Sequence, residues 1–180
     1  MKATGIGKRV EKAIMEFKSE DYEDTLYQLF SAIDKTAKKR RPDLGVGERI
    51  REFIREEVKY ITGLTTSSSI GNLISDNKDL ADALYKLART YLFHECELST
   101  KLSINKGQKI VFGQNEWSLP SFIILGLIFV VIIAPENKEE ISNHDFDINI
   151  LGNDYSLSEL WGRKDIMRKM LNERFNSDNF

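Results

Sequence analysis

Cysteine is nearly absent from this chain. Cys96 stands alone among 180 residues, which excludes an intrachain disulfide and a thiolate zinc cluster and suits a reducing, cytoplasmic setting. Histidine is also scarce: His94 and His144 are the two, far apart in sequence. Two separated histidines do not make a metal site, so no metal or other cofactor is expected. An excess of positive charge is missing too, since 26 Lys+Arg face 28 Asp+Glu for a net charge of -2. Any contact with nucleic acid must then come from a local patch. The segment Met1 to Glu11 carries Lys2, Lys8 and Arg9 but no apolar stretch, so it does not read as a secretory signal. One long apolar run exists, Leu119 to Ala134. As a helix it would rise about 24 Å, short of the roughly 30 Å hydrocarbon core. Its following residues Glu136, Glu139 and Glu140 are acidic rather than Lys/Arg-rich. The run reads as a buried central helix, with no membrane partner.

What is present is helical periodicity. Lys8 to Lys18 predicts a short helix with Val10, Ile14 and Phe17 on one side. A longer helix follows from about Asp21, striped by Tyr22, Leu26, Leu29, Phe30, Ile33 and Ala37, and Pro42 stops it. A third carries Ile50, Phe53, Ile54 and Ile61 and ends at Gly63, before a polar loop over Thr65 to Ser69. A fourth starts near Asn77 or Lys78. Beyond it, Leu102 to Ile104 and Lys109 to Phe112 flank Asn105-Lys106-Gly107-Gln108 as a short β-hairpin. Ser118 and Pro120 mark the start of the apolar helix. Asp145 to Leu151 alternates as a strand before a Gly152-Asn153-Asp154 turn, and Ser156 to Glu159 is a capping box opening one last helix. The expected fold is mainly α: one domain over residues 1–180, with its core at about 8–135 and a C-terminal strand and helix at about 145–175.

The chemistry-bearing stretch is Leu87-Ala88-Arg89-Thr90-Tyr91-Leu92-Phe93-His94-Glu95, on the fourth helix. A guanidinium holds a phosphate with a planar fork of donors, and a histidine moves protons near neutral pH. On an ideal wheel of about 100° per residue, Leu80, Leu84, Leu87 and Tyr91 form the core stripe. Arg89 then lies about 180° from it, between Tyr85 and Phe93, and His94 returns to within about 40°. The two side chains are about 140° and about 7.5 Å of rise apart on one straight helix. They converge if the helix bends near Phe93 or if a second copy contributes. Aromatic residues around an outward arginine suit a homodimer interface. The plain alternative makes His94 a core histidine and Arg89 part of a solvated face.

The spacing of Arg89 and His94, late in a helical core, resembles the R-x(4–6)-H motif of the HEPN superfamily, as does the local wording from Leu87 to Leu98. Ser31 to Lys39, with Asp34 late in an early helix, is similar in the same way. The resemblance covers roughly Asp21 to Ala134 and implies a HEPN-like helical bundle with a β-hairpin after the motif helix. Many members are metal-independent endoribonucleases of toxin–antitoxin or defence systems and act as dimers. The resemblance therefore implies RNA as substrate, with an antitoxin or defence-system protein as a further partner. Arg89 would be the motif arginine and His94 the motif histidine. Thr90 fills a slot more often held by asparagine. The implied reaction is attack of the ribose 2′-OH on the adjacent phosphate, with His94 as acid or base and Arg89 stabilising charge on phosphorus-bound oxygens. Asp34 and Glu95 are candidate orienting groups. The alternative class is a non-catalytic HEPN-like module for dimerisation or for binding RNA or protein.

Other features carry less chemistry. Lys35, Lys38, Lys39, Arg40 and Arg41 form the dense basic run, readable as an RNA-phosphate contact or as cations favoured by a helix C-terminus. His144 beside Asp145 and Asp147 lacks a second histidine for a metal. Gly5-Ile6-Gly7-Lys8 lacks the preceding strand and the spacing of a phosphate loop. Cys96 and His94 are two apart and would not face each other on a helix.

Overall fold

A computed structural model describes residues 2–66, 68–69, 71, 74–75, 78–107, 109–113 and 116–180. Helix α1 spans Gly5–Lys18, opened by Thr4, whose hydroxyl accepts from the Gly7 N–H at 3.3 Å. Helix α2, Tyr22–Arg40, is capped by Asp21, which accepts from Asp24 N–H at 3.0 Å. Helix α3, Val46–Gly63, follows Gly45. The expected apolar stripes are the buried ones: Val10 and Ile14; Leu26, Leu29, Phe30, Ile33 and Ala37; Ile50, Phe53, Ile54 and Ile61. Helix Ser121–Ile133 is the hub of the core, packing against α1, α2 and α3, and its residues 126–133 are buried. Gly126 lets it touch α3: a β-carbon there would sit 2.3 Å from the Ile61 carbonyl oxygen. Among the described residues no helix is long and apolar enough to cross a membrane.

The β elements differ from expectation. Strand β1 (Ile74–Ser75) and β2 (Lys78–Asp79) form a small antiparallel pair before the motif helix. Lys78, expected to open that helix, is therefore in a strand; Asn77, the other expected start, lies outside the described residues. Strands β3 (Leu102–Asn105) and β4 (Val111–Gly113) do not pair with each other. Both pair with β5, Glu116–Pro120, β3 in parallel and β4 as the antiparallel hairpin. The reason is burial: β5 turns Trp117 and Leu119 inward, so it takes the centre, and Ser118 belongs to it rather than to a helix cap. Gln108, in the expected turn, is outside the described residues, as is Ser67 of the expected polar loop.

At the C-terminal end, β6 (Asp147–Ile150) pairs with β7 (Asn153–Ser156). The turn is Leu151–Gly152, both at positive φ (54° and 88°), as a two-residue hairpin of type I′ requires. Asn153 and Asp154 thus sit in the second strand, not in the turn. The capping box forms, with Ser156 N–H donating to Glu159 at 2.8 Å. The last helix is broken into Leu157–Leu160 and Lys164–Phe175. Gly162 makes the break at φ 73°, where a β-carbon would lie 2.7 Å from Lys138 Cα.

Candidate functional site

The motif helix is one continuous run over residues 80–94 with three parts. An α turn, Leu80–Ala83, is capped by Asp79, which accepts from Asp82 N–H at 2.8 Å. A π-helical segment, Leu84–Thr90, follows, and a last α turn, Tyr91–His94, closes it. The π segment corrects the wheel. On an ideal α-helix Leu92 would stand about 120° round from Leu80. Wider turns take up that drift, so the buried stripe is Leu80, Leu84, Ala88 and Leu92. Leu87 is half-buried and Tyr91 is 41 % exposed, against their expected place in the core. His94 is exposed, so it is not the core histidine of the plain reading.

Arg89, half-buried, is held by aromatic rings. Its guanidinium carbon lies 4.7 Å from the Phe93 ring centre and 5.7 Å from that of Tyr85. Phe93 stacks on Tyr27 of α2 with centroids 4.9 Å apart. Tyr85 carries Arg51 of α3 at 5.0 Å and lies against Gly47, where a β-carbon would come within 2.8 Å of its hydroxyl. The row expected at Tyr85, Arg89 and Phe93 is real, and it leans on α2 and α3 within one chain. Thr90 donates its hydroxyl to the Tyr85 carbonyl at 3.0 Å, a bond five residues back that matches the π register. It therefore serves the helix. Glu95 is exposed just past the helix end.

Asp34 does not reach this group. It pairs with Arg49, whose Nε and Nη2 are each 2.7 Å from its Oδ1. The basic run also comes apart. Lys39 donates to Glu140 at 2.7 Å. Arg40 pairs with Glu56, Glu57 and Glu136 at 2.8–2.9 Å, and Arg41 pairs with Glu56. Burial pushes the Glu136 carboxyl up, and the Arg40 guanidinium more than reverses this, holding it below the usual glutamate range. Glu140 is likewise raised by burial and brought lower by Lys39 and the Thr4 hydroxyl. These three cations hold the fold together, and Lys35 and Lys38 of the run are exposed, with no partner among the described residues.

Lys35 has other company. With Gly5, Lys8, Arg9, Lys12 and Ser31 it lines a cleft of about 400 Å³ between α1 and α2. Gly5, Lys8, Arg9 and Lys12 share one face of α1 by their 3- and 4-residue spacing. That spacing was the signal available in the sequence; Tyr27 and Arg51 gave none, because their link to the motif helix is tertiary. His144 Nδ1 lies 2.5 Å from Glu11, and Asp145 is occupied by Ser158. Glu16, Asp21 and Asp24 bring oxygens within 4.8 Å of one another, but Asp21 is capping α2.

The family model for Rv1289 matches residues 5–179. The chain belongs to the Rv1289 family. Its similar relatives include the uncharacterised proteins Rv1289 and MT1327 of two Mycobacterium tuberculosis strains and Mb1320 of Mycobacterium bovis. Each is 26 % identical over 185 residues, covering 93 % of this chain and 88 % of the relative. No solved structure matches. This Rv1289-family match spans the motif helix and the α1–α2 cleft, so both belong to the shared part of the chain.

Proposed function

We propose that the chain is a HEPN-like, metal-independent endoribonuclease of toxin or defence type, with Arg89 and His94 as its reacting groups. The observation that carries this reading is the π segment Leu84–Thr90 running directly into the pair. π turns are rare and occur frequently at functional sites. Here the widened helix buries Ala88 and Leu92, leaves His94 exposed, and sets Arg89 over the Phe93 and Tyr85 rings. A phosphate beside Arg89 would meet a preorganised guanidinium, and His94 on the last turn would take the 2′ proton or supply the leaving-group proton. A homodimer belongs to the same reading: exposed Tyr91 supplies an apolar contact, and two His94 rings divide the acid and base roles. An antitoxin-like or defence-system protein is the further partner this reading calls for.

The test is incubation of single-stranded RNA with the protein in EDTA. Fragments ending in 2′,3′-cyclic phosphate are expected, and His94→Ala is expected to slow cleavage by about 10² or more. A folded protein that leaves tRNA, mRNA and synthetic oligonucleotides intact would replace the nuclease with the interaction module.

A further inference from the structure

We infer that the α1–α2 cleft binds the phosphodiester backbone of single-stranded RNA and leads it to the aromatic row beside Arg89; the choice of RNA rests on the proposed nuclease reading. The cleft is unusual for this chain. Overall charge is -2, yet the lining holds four cations, Lys8, Arg9, Lys12 and Lys35, and among the described residues no carboxylate. Among the described residues Lys8, Lys12 and Lys35 are exposed and make no hydrogen bond or ion pair, and Arg9 donates to neutral Gln28 at 2.6 Å. At the end of α2, Lys39, Arg40 and the following Arg41 are matched by glutamates, while Lys38 stands exposed outside the cleft. Lys35 is also placed against its own interest. Its ammonium stands over Gly5, 3.9 Å from where a β-carbon would be, at the positive end of α1. The carboxylate that caps that end, Glu140, is shared with Lys39 and Thr4. Four cations gathered without an acid repel one another, and a polyanion relieves that repulsion.

The path out of the cleft selects a single strand. Ser31 lines the cleft and bonds back to the Tyr27 carbonyl at 3.4 Å, one turn earlier. Tyr27 is 39 % exposed and continues through Phe93 to Arg89. From Lys35 to Tyr27 is about 12 Å along the helix. Phosphate-binding cations followed by a partly exposed ring are the two parts of a single-strand track, since unpaired bases stack on aromatic side chains and duplex bases do not.

The test is fluorescence anisotropy with a short labelled single-stranded oligoribonucleotide, in full-length His94→Ala so that the probe stays intact. Four phosphates neutralised predict a slope of log K against log salt of about -2.8. Lys12→Ala with Lys35→Ala should make it shallower by about 1.4, and Tyr27→Ala should weaken binding at least about fivefold. Lys169→Ala, an exposed lysine outside the cleft, should bind as the parent does. Parent-like slope and affinity in the Lys12/Lys35 variant would overturn the inference. So would equal or tighter binding of duplex RNA or of anionic lipid vesicles. The two readings separate cleanly: cleft-dependent binding without cleavage by wild type removes the nuclease and keeps the track. Cleavage with binding indifferent to cleft charge does the reverse.

Discussion

Arg89 is where a structural and a chemical role can be told apart by magnitude. Its guanidinium sits over two rings, Phe93 at 4.7 Å and Tyr85 at 5.7 Å. A cation over an aromatic face at a partly exposed site contributes about 0.5–1 kcal/mol. Arg89→Ala should then cost about 1–2 kcal/mol. In a domain of this size that lowers Tm by about 2–8 °C, so the variant stays folded at assay temperature. Arg89→Lys keeps a charge over the rings and should cost less. The chemical loss is of another order. Removing one charged donor from a phosphorane-like transition state costs about 10²–10³ in rate. Lysine does not restore it fully, because an ammonium lacks the planar fork of donors. Thermal melts and RNA cleavage on wild type, Arg89→Lys and Arg89→Ala make the comparison. A drop in Tm as predicted with cleavage unchanged would refute the catalytic assignment. A stability loss beyond about 4 kcal/mol would refute the energetic argument, since it would make Arg89 a core element.

Two further predictions concern the scaffold. Gly126→Ala drives a methyl to 2.3 Å from the Ile61 carbonyl oxygen and should destabilise by about 1–3 kcal/mol, read from urea unfolding; an unchanged midpoint would mean the two helices separate freely. Glu57→Gln strips the fully buried carboxylate that Arg40 and Lys164 share at 2.6–2.8 Å, and should cost about 3 kcal/mol; a loss under about 1 kcal/mol would show that Glu56 and Glu136 suffice.

The helices were legible from local signals: apolar stripes in α1, α2 and α3, the Asp21 start of α2, and stops at Pro42 and Gly63. The sheet was not. Which strand takes the centre depends on what Trp117 and Leu119 bury against, and a local pattern places them only as an apolar approach to the next helix. The motif helix was found, but its register was not, since a wheel assumes one rotation per residue. The Leu80, Leu84, Ala88, Leu92 spacing at strict fours held the clue: four residues per turn is what an underwound, π-containing helix aligns.

The basic residues show the same limit from the other side. Density along the chain pointed at Lys35, Lys38, Lys39, Arg40 and Arg41, yet the last three are cations the fold uses up, because Glu56, Glu57, Glu136 and Glu140 arrive from other segments. Lys8, Arg9 and Lys12 precede Lys35 by at least 23 residues and join it only when α1 lies along α2. A cation matters for binding when the folded chain leaves its charge unmatched, and that difference is set by partners distant in sequence. Proximity to a helix C-terminus strengthens the contrast: the macrodipole stabilises the cations at the end of α2, whereas Lys35 gains nothing from the start of α1.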